Sequence, residues 1–130
     1  MASFVKFDNF SLNLAKGLIN LKDDQLLVAS TNSTPNKAWE TFADIPTTSG
    51  LSFSLNNQKL TETNGVVKLT ADDHSRVASV TYDPFRYLIM VHVPTTTLIA
   101  YCDLLDTVNV TVGKPFKFDI DQAIGLLKIS

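Results

Sequence analysis

The stretch from Arg76 to Val112 reads RVASVTYDPFRYLIMVHVPTTTLIAYCDLLDTVNVTV and indicates four β-strands separated by short breaks. The Asp83-Pro84 step interrupts the run, because proline has no backbone N–H to donate and fixes its own backbone angle. Phe85–Val93 is apolar on both faces, as expected for a strand inside a sheet that is covered on both sides. Leu98–Asp103 follows a Pro-Thr turn and is expected to pair with that strand as a hairpin. The stretch therefore predicts a mainly β protein.

Alternating apolar and polar residues predict further strands around this hairpin. They are Gln25–Thr31, Leu51–Leu55, Gly65–Ala71, Val77–Tyr82, Val108–Val112, Phe116–Ile120 and Gly125–Ile129. The polar stretch NNQKLTETNG at residues 56–65 is hairpin-like. Short strands at this spacing are typical of antiparallel folds. We therefore expect an antiparallel β-sandwich of about eight strands, with jelly-roll and immunoglobulin-like topologies both open.

One amphipathic helix is expected at the N-terminus. Its apolar residues recur at spacings of three, four, four and three, and they are Phe7, Phe10, Leu14, Leu18 and Leu21. This periodicity predicts a helix from Asp8 to Ile19, with Asp8 or Asn9 as its N-cap. The apolar stripe is expected to pack on the sheet, and docking against a neighbouring subunit is the alternative.

Two segments without strand patterning are candidate contact elements. Residues 32–50 form a long polar loop, in which Lys37–Phe42 is expected to make one helical turn that buries Trp39 and Phe42. The single tryptophan is interpreted as a plug that fixes the loop to the core, with an exposed contact residue as the alternative. Residues 1–6 are a candidate N-terminal arm, in which Phe4 and Val5 could add a strand to a neighbour's sheet.

Length and composition favour one domain over residues 1–130. The net charge is −2 and the 11 lysine and arginine residues are scattered, which argues against a nucleic-acid partner. Cys102 is the only cysteine, so an internal disulfide is excluded and a small buried thiol is expected. No segment has the length of apolar sequence needed to cross a bilayer or the pattern of a signal peptide. A protein made in the cytoplasm is expected, without a membrane partner.

The sequence offers little catalytic chemistry. His74 lies beside two aspartates in a predicted turn, and a solvated loop is favoured over a metal site there. His92 lies in the most apolar strand and is expected to be a hydrogen-bonded structural residue. Arg86 is a charged residue inside the same apolar strand and needs a partner, which Asp83 or Asp103 could supply, and a contact between subunits is the alternative. We predict no catalytic residue, cofactor or metal ligand.

Three segments resemble a known family. The N-terminal part has an F-x-x-F/L helix, then NL, then D-x-L-x-V-A and N-x-x-P, which correspond to Asn20-Leu21, Asp24, Leu26, Val28, Ala29, Asn32 and Pro35. The middle has the PFRY strand of Pro84–Tyr87, followed by LIAYCD, in which Ala100 replaces a glycine of the pattern. The end, VNVTVGKPFKFDIDQAIGLLKIS, is similar to a closing G-x-x-F-x-x-D-F-x-x-x-G-x-L hairpin. In these segments the chain resembles small β-rich virion proteins encoded among the head and tail genes of tailed bacteriophages; residues 36–64 do not match.

This resemblance implies a structural role in a phage particle rather than an enzyme. A capsid decoration or cement protein is expected first, bound to the major capsid protein or other virion proteins and forming homo-oligomers. A tail-associated structural protein or a carbohydrate-binding, receptor-binding β-sandwich is the alternative. The candidate interaction residues are Phe4, Val5, Trp39 and Arg86.

Overall fold

The computed structural model describes residues 4–120 and 125–129, and these residues form a mainly β protein with antiparallel sheets. Ten strands occur in this part of the chain. They are β1 (Val5–Lys6), β2 (Leu26–Thr31), β3 (Ser52–Ser54), β4 (Lys59–Thr63), β5 (Val66–Thr70), β6 (His74–Val77), β7 (Phe85–His92), β8 (Thr97–Val108), β9 (Pro115–Phe118) and β10 (Leu127–Ile129). One short helix, α1 (Phe10–Ala15), and one 3₁₀ turn, Phe42–Asp44, complete the described elements.

The largest sheet has five strands in the order β1-β8-β7-β2-β3. β7 lies at its centre, paired with β8 over most of its length and with β2 from Tyr87 to His92. The predicted hairpin of Phe85–Val93 and Leu98–Asp103 is thereby confirmed. β8 continues past Asp103 to Val108, and its register against β7 shifts there. Leu105 has a φ of 73° at this irregularity and is 70% exposed.

Two smaller sheets complete the β-structure. One has the order β10-β5-β4 and the other is the pair β6-β9. The β4–β5 connection is the two-residue turn Asn64-Gly65, in which both residues have positive φ. Asn-Gly is a favoured pair for this turn because both residues tolerate the left-handed conformation. The hairpin-like segment 56–65 thus holds a regular strand, β4, and ends in the turn.

The main apolar core joins the five-stranded sheet to both smaller sheets. Leu88, Met90 and Cys102 belong to this cluster from the large sheet, and Leu69 and Phe118 belong to it from the small ones. All five are 5% exposed or less. The buried thiol of Cys102 agrees with the expectation, and burial raises its pKa to about 11, so it is an apolar packing residue at neutral pH.

The opposite face of the large sheet is covered by a second cluster. Its buried members are Phe7, Ile45, Ile89, Val91 and Leu98. Trp39 packs against this cluster from the long loop, as does Tyr101 from β8. β7 is therefore apolar on both faces because both faces are covered, as the sequence predicts.

The helix ends earlier than predicted. α1 stops at Ala15, and Gly17 follows with a φ of +76°. The Gly17 N–H donates to the carbonyl of Leu14, and the Leu18 N–H donates to that of Asn13. This is the Schellman arrangement that terminates a helix. The chain therefore leaves the helical axis before Leu18, which is 50% exposed instead of lying in the apolar stripe.

Two predicted strands are largely irregular. Val77–Tyr82 contributes only Val77 to β6, and Val108–Val112 contributes only Val108 to β8. The two segments run alongside each other with scattered hydrogen bonds, such as Tyr82 N–H to Val110 O and Val112 N–H to Thr81 Oγ1. Alternation alone mispredicts them, because a strand also requires a partner in continuous register.

The long loop is organised differently from the predicted turn over Lys37–Phe42. The short 3₁₀ turn begins at Phe42, where Asp44 and Thr41 form a capping box. Phe42 is 37% exposed, so its predicted burial is wrong. Ile45, rather than Phe42, is the loop's buried contribution to the second cluster.

Candidate docking surface

An apolar groove of about 390 Å³ opens between the segment that follows α1 and the β10-β5-β4 sheet. We call it the leucine groove. Its lining residues are Leu14, Gly17, Ile19, Asn20, Leu21, Leu60, Val67 and Ile129. Six of these eight residues are aliphatic, so the groove favours an apolar occupant that is itself removed from water.

Strand register explains how the sheet forms one wall of the groove. Leu60 lies opposite Leu69, and Val67 lies opposite Ile129, so their side chains share one face. Leu69 is in the core at 1% exposure, but Leu60 is 38% exposed. The apolar face of the sheet therefore extends beyond the part that the large sheet covers.

The facing wall is fixed by the early end of α1 and by Gln58. After the Gly17 turn, the chain brings Ile19 and Leu21 to the groove. Gln58 Nε2 donates to the carbonyl of Leu21 at 2.6 Å and to that of Asp24 at 2.9 Å. These bonds hold this wall to the residue that precedes β4, so the groove is a preformed feature.

The predicted arm residues Phe4 and Val5 lie on the chain's own sheet. β1 pairs with β8 through Val5 opposite Tyr101 and Lys6 opposite Ala100. Phe4 is 7% exposed and packs edge-on against Phe118 at a ring distance of 6.3 Å. Residues 1–3 of the predicted arm lie outside the described residues. Val5, at 42% exposure, is the accessible member of this pair.

Trp39 lies where the plug interpretation places it. Its ring stacks on that of Phe7, with centroids 6.4 Å apart and an interplanar angle of 22°. Backbone hydrogen bonds join the same segments, since the Asp8 N–H donates to Lys37 O at 3.0 Å. The indole is half-buried and fixes the long loop to the large sheet.

Arg86 makes an intramolecular ion pair with Asp103, one of its two predicted partners. Nε lies 2.8 Å from Oδ1, and a second guanidinium nitrogen lies 3.1 Å from Oδ2, which makes the pair bidentate. Hydrogen bonding to Arg86, followed by that to the Leu105 N–H, lowers the pKa of Asp103. The pair links β7 to β8 at the register shift between them, next to Leu105, whose backbone is left-handed. The Arg86 side chain remains 40% exposed.

His92 is fully buried and hydrogen-bonded at both ring nitrogens, which agrees with its predicted structural role. Nε2 lies 2.7 Å from Asp24 Oδ2, and Nδ1 lies 2.7 Å from Thr95 Oγ1. The Asn20 N–H and then His92 lower the pKa of Asp24. An ionised carboxylate only accepts, so Nε2 donates to Asp24, and when the ring is neutral Nδ1 accepts from the threonine hydroxyl.

This Asp24–His92–Thr95 chain places an imidazole base beside a hydroxyl, the pairing that activates nucleophiles in hydrolases. Thr95 Oγ1 also lies 2.7 Å from Thr97 Oγ1, within the β7–β8 turn. The chain thus joins three segments: the turn before β2, the end of β7 and the start of β8. We interpret it as a structural hydrogen-bond network that holds these three segments together.

His74 begins β6 rather than lying in a solvated turn, so that part of its prediction is wrong. Its ring stacks on Phe53 with centroids 4.1 Å apart and an interplanar angle of 3°. Arg76 Nε donates to His74 Nε2 at 3.1 Å, and Arg76 also donates to Ser52 O at 2.7 Å. Burial, followed by the charge of Arg76, lowers the pKa of His74. The neutral ring is therefore part of the packing between β3 and β6.

The lowered pKa of His74 predicts a pH-dependent stability. The unfolded state binds a proton more readily than the native state below the ordinary histidine pKa of 6.5. The stabilisation is complete above this value and is lost as the pH falls through the folded pKa. We expect the unfolding free energy to fall between pH 7 and pH 5, measured by urea denaturation.

A His74→Gln variant is the control, because glutamine can accept from Arg76 but does not titrate. Its unfolding free energy should change less over the same range, because all other ionisable groups are shared by the two proteins and cancel in the comparison. Asp24, Asp44 and Asp103 have pKa values lowered from 3.8, so their contributions are lost at more acidic pH. Parallel pH profiles for the two proteins would contradict the role of His74.

Residues 4–120 and 125–129 contain no group of three or more His, Cys, Asp or Glu side chains able to hold a metal. No helix in the described part of the chain is long and apolar enough to span a membrane. Neither a scan against protein-family models nor searches of curated proteins and of solved structures found a significant match to this chain.

Proposed function

We propose that this protein is an assembly component of a tailed-bacteriophage particle, a decoration protein that binds the head lattice. The observation that carries the proposal is the leucine groove, an exposed apolar surface that lies beside the exposed edge strand β4. Contiguous exposed apolar surface is typical of sites where proteins bind one another. The resemblance of the terminal and PFRY segments to phage virion proteins supplies the biological context.

We also propose that the three sheets together form a β-sandwich, with the five-stranded sheet as one layer and the two small sheets as the other. The main core supports this arrangement, because it contains residues from all three sheets. In such a protein the rigid layers present their loops and edges to partners, and the function depends on shape rather than on turnover. The partner is then the major capsid protein or another virion protein.

Co-sedimentation with expanded, undecorated heads of the parent phage tests this function. We expect saturable binding that is lost in Leu60→Asp, because a carboxylate in the groove must be desolvated on docking. Val112→Asp is the matched control, since Val112 is 61% exposed and does not line the groove. Saturable binding only to tails would refute the decoration role and support the alternative, tail-associated role. Absence of binding to heads and tails would overturn the proposal.

The Asp24–His92–Thr95 chain supplies a second way to refute this function. If Thr95 is a nucleophile, the protein should hydrolyse p-nitrophenyl acetate with turnover, and Thr95→Val should abolish it. If the hydrogen-bond network is only structural, the wild type and this variant should give the same background rate. Turnover that depends on Thr95 would make the protein an enzyme and overturn the assembly role.

A further inference from the structure

β4 is the longest of the strands that lie at the edges of the two larger sheets. It has five residues, against two in β1 and three in β3 and β10. All five residues of β4 are exposed. Short edge strands limit unwanted pairing, so a long open edge is the place where a further strand can be added.

The hydrogen-bonding pattern of the β4–β5 hairpin shows which groups face outward. Thr63 and Val66 flank the two-residue turn and form a hydrogen-bonded pair, as do Thr61 and Lys68 two residues further on. The alternate residues, Leu60 and Glu62, therefore direct their backbone N–H and C=O groups away from β5. These groups are available to an incoming strand.

The two faces beside this edge differ in chemistry. Leu60 and Val67 lie on the face that forms the leucine groove. The other face carries Lys59, Lys68 and Lys128, with threonine hydroxyls at Thr61 and Thr63. The described residues of this face include no aspartate or glutamate. We call it the lysine face.

The lysine face concentrates positive charge on a protein whose net charge is −2. Lys68 lies directly opposite Lys128 in the strand register, so both side chains belong to this face. A depression of about 330 Å³ lies on this face, lined by Thr61, Thr63, Val66, Lys68 and Lys128. The positive charge of this face would attract acidic side chains of a partner strand, and Lys59 would be the nearest lysine to that strand because it lies in β4 itself.

From these observations we propose that β4 accepts an extended strand of a partner protein in which apolar and acidic residues alternate. Side chains of such a strand point alternately to opposite faces. The apolar set enters the leucine groove beside Leu60, and the acidic set lies on the lysine face beside Lys59. The outward groups of Leu60 and Glu62 pair with the partner's backbone. The chain's own residues 4–6, Phe-Val-Lys, do not fit this pattern, because they place a cation where an acid is required.

This inference deepens the proposed function, on which the identity of the partner as a virion protein rests. Binding itself is tested without any virion component. The probe is a fluorescent heptapeptide in which valine and glutamate alternate, titrated with the full chain and followed by anisotropy. We expect saturable binding that weakens with added salt, and no binding of the matching valine–lysine peptide. Equal binding of the two peptides, or binding of neither, would overturn the inference.

Two variants separate charge from folding effects. Lys59→Glu should weaken binding of the valine–glutamate peptide at least about tenfold, since reversing a contact charge converts attraction to repulsion. Lys114→Glu is the matched control, because Lys114 is exposed in a turn outside both faces, and it should bind as the wild type does. An equal loss in both variants would indicate a response to net charge only and would refute a site at β4.

Backbone methylation of the peptide tests edge pairing without altering the protein. In an extended strand, the N–H groups of the valines point to one side and those of the glutamates to the other. N-methylation of one set should abolish binding and that of the other should leave it unchanged, with the valine set sensitive if pairing is antiparallel. Equal effects of the two methylations would overturn the inference.

The head-binding and peptide-binding experiments distinguish the two proposals. Peptide binding without head binding would refute the proposed function alone, and head binding without peptide binding would refute the edge site alone.

Discussion

Replacement of Phe7 by alanine is expected to lower the free energy of unfolding by about 3–5 kcal/mol, the usual loss for a fully buried aromatic ring. Phe7 is 1% exposed and lies between the rings of Trp39 and Tyr101. Its N–H donates to Ile99 O on β8, so the backbone holds the ring over the large sheet. The cavity left by alanine would open the second cluster, which urea denaturation would measure.

Trp39 reports on the same cavity, because it is the only tryptophan in the chain. In Phe7→Ala its emission should shift to the red in the folded protein as water reaches the indole. Phe7→Leu is the control, since it keeps much of the apolar volume and should retain more of the stability. Trp39→Ala should cost less than Phe7→Ala, because the indole is only half-buried. The reverse order would mean that the loop, rather than Phe7, holds this cluster together.

The centre of the large sheet could be predicted from sequence because its signal is local. Phe85–Val93 is apolar at every position but Arg86 and His92, and both of those residues find partners in the structure. Such a run of apolar residues favours a strand that is covered on both sides, whichever segments cover it. The covering segments themselves, Phe7 and the loop around Ile45, come from distant parts of the chain.

The wrong helix end and the mispredicted strands have different physical causes. The apolar periodicity predicts a helix that continues past Gly17, whereas the left-handed backbone of this residue ends the helix through two capping hydrogen bonds. The position where the helix ends depends on this local backbone geometry, about which the spacing of apolar residues carries no information. Val77–Tyr82 shows the second cause, because its alternation is genuine but its neighbours offer only irregular pairing.

The leucine groove does not follow from the sequence, although each of its residues has an ordinary sequence pattern. Leu60 is the one apolar residue of β4 (KLTET), and Val67 lies between Val66 and Lys68 in β5, so neither strand pattern marks a groove. Leu60 is exposed because the main core includes its cross-strand neighbour Leu69 but does not extend to Leu60, which is a tertiary property that no strand pattern reports. The register of β4 against β5, which the Asn64-Gly65 turn fixes, is the one signal of the groove that the sequence holds.

Gly125 is the second position where a small change should have a large effect. Its φ is +80°, and a Cβ built there would overlap Lys68 Cγ and lie 2.9 Å from the Leu69 carbonyl oxygen. The close approach permits Leu126 to donate its N–H to the same carbonyl at 2.8 Å. Leu126 is fully buried, so this contact anchors the start of β10 against β5.

We expect Gly125→Ala to destabilise the protein by about 2–4 kcal/mol, from the left-handed backbone and the steric overlap together. Gly113→Ala is the matched control, because Gly113 has a φ of +83° but nothing within 4 Å of the added Cβ. It should cost about 1–2 kcal/mol, the backbone contribution alone. Equal losses in the two variants would show that the overlap at Gly125 relaxes freely.

Gly125→Ala also tests whether the contact between β5 and β10 supports the proposed strand-accepting edge at β4. The flexible stem of Lys68 can move away from an added methyl group, but the Leu69 carbonyl belongs to β5 and cannot move without shifting its pairing. A displaced β5 would alter the register that presents Leu60 to the groove and Lys59 to the lysine face. In folded Gly125→Ala protein the valine–glutamate peptide should therefore bind more weakly than in Gly113→Ala. Unchanged affinity would show that β4 keeps its geometry independently of the β5–β10 contact.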